Sequence, residues 1–375
     1  MIMEEPDSCD LTSGDLPVFP QTDKPQGKPS VQWSDRDAQM DNCKLLLIVL
    51  MVLGHTLEQF RPDSIEISVL FSFIYVFHME AFVFFAGYCS KNVEKCRETA
   101  VERFLLPYVI FNFLSYLSVA LINGTRFSLT GFQLFSPAST MWFLFSLFVW
   151  RILLKDLARI RYVLPLSILL SLGAGMFSSI GLHYSFTRIV TFLPFFLAGY
   201  QMQPAMLDRI RRLPRVAGYA ALAVTFAACI LLFGVLELPP GMLYLSRNYR
   251  HYDIGLSGNT ALWAAMGLRL LFYVLAALMI SALLIFMPRK EGLLTKLGRN
   301  TMTVYLLHFF FIRIFKRFAP TDMGLPLTLT LCLAVSVVLT GLLSLPAVTR
   351  GYNAVMRGIT RAVFRRDKPP ESPRV

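Results

Sequence analysis

The chain has 375 residues, 55% of them hydrophobic and only 16% charged, with a mean hydropathy of +0.55. That is too apolar for a soluble domain with a solvated surface, so the chain belongs in a lipid bilayer. The formal charge of +12 does not point to nucleic acid, because Lys and Arg recur in short clusters between apolar runs instead of forming one basic patch.

Residues 1–33 carry Pro6, Pro17, Pro20, Pro25 and Pro29 among Asp, Ser, Gly and Lys. Such a stretch buries too little apolar surface to offset the entropy of ordering, and it reads as a disordered cytoplasmic tail. It also lacks the basic, apolar and small-residue succession of a cleaved signal peptide, so the first apolar segment is expected to persist as a helix. Spanning a bilayer takes about 20 apolar residues, with about 17 tolerated. Ten segments qualify: 43–60, 67–89, 103–123, 139–155, 162–180, 185–203, 215–237, 260–287, 300–318 and 325–349. The expected fold is an all-α integral membrane domain over residues 34–349, with about ten transmembrane helices, followed by a basic cytoplasmic tail over 350–375.

Lys and Arg crowd alternate loops, 90–102, 151–161, 207–215 and 288–299, together with the tail from 350. The opposite set holds only Arg61, Arg126, Arg247, Arg250 and Arg317, so the positive-inside rule places both termini in the cytoplasm. The longest outer connection, 238–259, holds Tyr244, Arg247, Tyr249, His251 and Tyr252, a cluster suited to stacking on sugar rings and equally to an interfacial aromatic belt. The six cysteines show no CxxC and no zinc-like spacing, so neither a disulfide framework nor a metal site is expected.

Ionisable groups inside a membrane are costly and mark function or an interior partner. His55 lies 11 residues past Lys44 and His78 lies 11 before Cys89, which puts both about 16 Å up two antiparallel helices at a rise of 1.5 Å per residue. His308, nine residues past Arg299, reaches about 13 Å. Glu58, at i+3 from His55, can orient the ring, fix its tautomer and raise its basicity, which suits a general base. A structural hydrogen bond between helices is the other use of any one such histidine. Lys44, Arg97 and Arg103 gather at the cytoplasmic ends of the first three helices, where they can hold phosphates or simply reach the interface. Arg188, Arg269 and Arg313 sit where topology does not call for charge, which points to an interior ion pair or a substrate contact. Walker A, GxSxG and GxGxxG motifs are absent.

Several motifs resemble the acyltransferase type 3 family of membrane acyltransferases, especially its fucose 4-O-acetylase-like branch. They are Arg36-Asp37-Ala38, Asp41-Asn42-Cys43-Lys44 with Val52-Leu53-Gly54-His55, and Phe77-His78-Met79-Glu80 running on to Gly87-Tyr88. Arg103 to Tyr108, Met141 to Leu144, Pro194 to Tyr200, and Gly298 to His308 follow in family order. The resemblance implies transfer of an acyl group, usually acetyl from acetyl-CoA, to a hydroxyl of a glycan or glycolipid. Much of the family carries Arg, ten residues and then His on the first helix; Lys44 stands at that Arg position, keeping the charge but losing bidentate phosphate binding. Glu80 replaces the Pro that the branch carries after His-Met. The expected roles are His55 as general base assisted by Glu58, His78 on the thioester carbonyl, and Lys44 with Arg103 on the CoA phosphates. Arg188, His308 and the 238–259 loop are expected on the acceptor. The expected location is a multi-pass position in a bacterial cytoplasmic membrane, with a eukaryotic organelle left open. A proton-coupled transporter using the same histidines is the rival reading.

Overall fold

A computed structural model describes residues 37–124, 134, 137, 139–177, 186–320 and 322–364. The expected tail over 1–33 and the basic residues from 365 onward lie outside them. All regular structure among the described residues is helical.

Helix α1 (Ala38–Leu57) starts at Asp37, whose side chain accepts the Gln39 backbone N–H at 2.9 Å and so satisfies one of the free donors of the first turn. Helix α2 (Ile65–Tyr75) starts in the same way at Ser64, and α3 (His78–Tyr88) follows after a break at Val76 and Phe77. The segment expected to be one helix over 67–89 is therefore two. The break has a side-chain cause: His78 Nδ1 bonds the Ile74 carbonyl at 2.9 Å, taking an acceptor from the backbone ladder.

Short α4 (Val93–Glu98) leads through a π-helical turn, Val101–Leu105, into α5 (Leu106–Asn123). Helices α6 (Trp142–Leu157), α7 (Val163–Ala174) and α8 (Phe186–Gln201) follow, then α9 (Pro204–Arg211) and α10 (Arg215–Cys229). At 29 residues, α11 (Gly258–Phe286) is about 44 Å long and exceeds the bilayer core. The chain closes with α12 (Leu293–Gly298), α13 (Thr301–Phe318), α14 (Leu325–Leu343) and α15 (Pro346–Val363).

Among the described residues, six helical spans are long and apolar enough to cross a membrane: Ala38–Leu57, Ile65–Tyr88, Val101–Ile122, Arg215–Val235, Gly258–Phe286 and Leu325–Leu343. The other four expected segments also fall on helices but miss that standard. Helices α6, α7 and α8 have 16, 12 and 16 residues, and α13 carries Arg313, Lys316 and Arg317 in its second half.

Helix α1 packs among α3, α12, α13 and α14 and buries most of its length. Helices α3 and α8 meet at two glycines: a Cβ on Gly87 would overlap the Phe196 carbonyl, and one on Gly199 would overlap the Phe84 carbonyl. Such close approach needs small residues, as in helix pairs within lipid. The outward faces of α10 and α14 expose Val216, Val224, Phe226, Leu333, Val337 and Leu342, an apolar surface that lipid would cover. The amino-terminal Asp37 and Gln39 are tied across the fold: Arg211 ion-pairs with Asp37, and its Nε donates to Gln39 Oε1 at 2.6 Å. Gln39 in turn donates to the Met287 carbonyl at 2.7 Å.

Candidate active site

A cavity of about 440 Å³ lies between α1, α2, α3, α8 and α13. His55, Glu58, His78, Arg188 and His308 all line it, so five of the seven residues given an expected role from the sequence meet in one chamber.

The His55 ring stacks on that of His308, with centroids 5.4 Å apart and planes 25° apart. Its Nδ1 lies 3.2 Å from the Tyr75 hydroxyl and 4.0 Å from Glu58 Oε2. Tyr75 also meets the His78 ring edge-on at 4.7 Å, so one phenol separates two histidines. Gly54 makes room for it: a Cβ there would meet the Tyr75 ring at 2.6 Å. Glu58 is fixed from two other elements, by Lys316 Nζ of α13 at 2.5 Å and by the Tyr244 hydroxyl at 2.9 Å.

Backbone bonds set two tautomers. His78 Nδ1 faces the Ile74 carbonyl, and His308 Nδ1 faces the Tyr305 carbonyl at 2.8 Å and the Val304 carbonyl at 3.1 Å. A carbonyl only accepts, so Nδ1 carries the hydrogen in both rings and, in the neutral ring, Nε2 keeps its lone pair. The Nε2 of His308 is buried with no hydrogen-bond partner among the described residues.

Arg188 lies over the Trp142 ring at 5.0 Å, and its Nε donates to the Tyr244 carbonyl at 3.3 Å. Among the described residues this is the one hydrogen bond that Arg188 forms, which leaves terminal N–H groups of the guanidinium for a ligand.

Lys44 and Arg103 lie elsewhere, in two separate cavities. Lys44 lines an apolar slot of about 240 Å³ with Met51, Met79, Phe82 and Tyr305, and it pairs with Asp41 at 2.6 Å. Arg103 lines a wider basic mouth of about 800 Å³ with Arg151 and Arg299. The mouth and the slot share Phe104, Arg151 and Met302, while the slot and the histidine chamber share Met51, Met79 and Tyr305. The three cavities therefore adjoin in series.

One stripe of α1 runs along the inner two. Lys44, Ile48 and Met51 line the slot, and Met51, His55 and Glu58 line the chamber, at spacings of four, three, four and three residues that keep one helical face.

Other polar residues are held structurally. Arg269 donates to the Ser171 carbonyl at 2.8 Å under the Tyr249 ring, and Arg313, at the chamber edge, donates to the Ser115 carbonyl at 2.7 Å. Tyr249 ties the 238–259 loop to the Leu172 carbonyl of α7 and Tyr252 closes the loop on its own Gly241 carbonyl, both at 2.8 Å, while Tyr244 turns into the chamber. Glu80 is buried on α3 with Oε2 unpartnered among the described residues, and it lines none of the three cavities. Arg97 lines none of them either. Sequence reasoning missed Tyr75, Lys316 and Arg151 as cavity-lining residues: Tyr75 lies in an apolar run, and the two cations lie in the second halves of their helices, where charge reads as interfacial.

A histidine chamber, an apolar slot and a basic mouth thus adjoin within a bundle that holds, among the described residues, six helical spans long and apolar enough to cross a membrane, the arrangement of a membrane-embedded enzyme. Residues 37–345 match the family model described as an acyltransferase domain, and the chain belongs to the acyltransferase type 3 family. It is thus an acyltransferase and a multi-pass membrane protein, and the transporter reading finds no support. Neither the curated proteins nor the solved structures contain a match to it.

Proposed function

We propose that the enzyme moves an acyl group, acetyl from acetyl-CoA in the simplest case, to a hydroxyl of a glycan or glycolipid, as in the fucose 4-O-acetylase-like branch it resembles. The observation that carries this reading is the order of the cavities. A basic mouth suits the phosphates of the nucleotide, an apolar slot suits the pantetheine arm, and a histidine chamber suits the thioester. Lys44 and His55 stand about 16 Å apart along α1, so the donor reaches well into the membrane. With both termini cytoplasmic and about ten crossings, the mouth faces the cytoplasm and the Tyr244 side faces outward; a bacterial cytoplasmic membrane is the natural setting.

In this mechanism Glu58 draws the hydrogen of His55 to Nδ1, and Nε2 takes the proton of the acceptor hydroxyl. The hydroxyl oxygen bonds to the thioester carbon, and the carbonyl electrons move to oxygen. Arg188 supplies donors to that oxyanion. Collapse breaks the C–S bond, and the thiolate recovers the proton from His55, leaving an ester and free CoA thiol. Neutral His78 offers a lone pair at Nε2, so it suits a hydroxyl donor on the acceptor better than the thioester carbonyl. His308 backs the His55 ring by stacking.

The test is purified protein with labelled acetyl-CoA and candidate glycans. Transfer in the wild type and its loss by at least about 10²-fold in His55→Ala is the expected result. Transfer retained by His55→Ala removes the proposed base.

A further inference from the structure

The family match ends at residue 345, yet the basic mouth is completed by residues beyond it. Helix α15 places Tyr352, Asn353, Arg357, Thr360 and Arg361 along the mouth, at spacings that keep one helical face. The helix is docked, because Val348, Tyr352 and Met356 pack on the core and the Tyr352 ring lies 6.3 Å from that of Phe111. Burial pushes the Tyr352 phenol up to about 12, so near neutral pH it meets an anion as an uncharged hydroxyl.

Charge in the mouth is unbalanced. Arg103, Arg151, Arg299, Arg357 and Arg361 face a single acid, Glu102. Arg299 is taken by Asp41 and Glu291, whereas Arg103, Arg357 and Arg361 form no ion pair among the described residues. Two arginines at i and i+4 repel unless an anion lies between them. A guanidinium pair on a docked helix, lining one cavity with a third, offers the forked donors that phosphate oxygens accept.

We infer that Arg357 and Arg361 of α15, which share a cavity with Arg103, bind the phosphates at the nucleotide end of the acyl donor, so that donor affinity depends on a helix outside the family domain. This rests on the donor reading above. Phosphate is the shared chemistry, and an anionic lipid headgroup is the other source of it.

The experiment compares wild type with Arg357→Gln/Arg361→Gln, using acetyl-CoA and the phosphate-free donor acetyl-pantetheine, each in neutral and in phosphatidylglycerol-containing liposomes. Binding of CoA is measured by calorimetry alongside. The inference expects KM for acetyl-CoA and Kd for CoA to rise by at least about tenfold in both liposomes. It also expects kcat and acetyl-pantetheine turnover to hold, which shows that the variant folds. Equal KM and Kd in the two proteins overturn the inference and leave the donor reading intact. A loss confined to anionic liposomes, and equal for both donors, assigns the pair to lipid and overturns it. Wild type that neither binds CoA nor uses acetyl-CoA overturns the donor reading and the inference with it.

Discussion

Glu58 shows how a side chain is held in position by elements far apart in the chain. Its carboxylate receives Lys316 of α13 and Tyr244 of the 238–259 loop, which leaves it beside His55 Nδ1. Under the proposed mechanism Glu58→Gln removes the charge that favours the hydrogen on Nδ1, and kcat is expected to fall by roughly 10²-fold with KM for donor little changed. Single-turnover kinetics measure this, and an unaltered rate would deny Glu58 its positioning role. Arg188→Lys keeps a charge but loses the fork over Trp142, and a drop in kcat of roughly 10²-fold is expected. Much of the chamber was legible in the sequence, because His55, Glu58, His78, Arg188 and His308 are ionisable groups at depths where a bilayer tolerates few. Tyr75 was not, since an aromatic in an apolar run reads the same whether it packs or faces a cavity. Lys316 was hidden for another reason: near a helix end it looks like an ordinary interfacial cation.

At the scale of the elements, the long apolar helices were legible by length, and the short ones were not. Helix α7 has 12 residues where 162–180 suggested a full span, and the 67–89 segment breaks where His78 captures the Ile74 carbonyl. Hydropathy averages over such a break, so only the side-chain chemistry of the histidine could have located it. The α3–α8 contact carries a direct prediction. Gly87→Ala or Gly199→Ala drives a methyl into a facing backbone carbonyl, at a cost of about 2–3 kcal/mol read as a lower thermal midpoint in detergent. Gly341→Ala, whose Cβ would meet nothing within 4 Å, should leave the midpoint unchanged or slightly raised. Equal midpoints for all three would show that the glycines do not set the packing.

Within the unit from Asp37 onward, helices distant in sequence enclose three adjoining cavities, and the α1 stripe from Lys44 to Glu58 lines the inner two. Ala86 lies on the slot wall between mouth and chamber. Ala86→Phe should fill part of the slot and reduce kcat/KM for acetyl-CoA by roughly 10²-fold while the thermal midpoint stays close to that of wild type. Full activity in that variant would mean that the thioester arrives by another way. The basic clusters at one set of loops were legible as topology, but that several of them converge on one mouth depends on contacts between helices distant in sequence.

The central claim is that a donor entering at the basic mouth meets an acceptor in the histidine chamber. Oriented proteoliposomes test it directly, with labelled acetyl-CoA and a glycan acceptor supplied on opposite faces. Acetylated glycan is expected when acetyl-CoA is on the face carrying Arg103 and Arg357, and none from His55→Ala. Product formed equally with the donor on either face, or retained by His55→Ala, would contradict it.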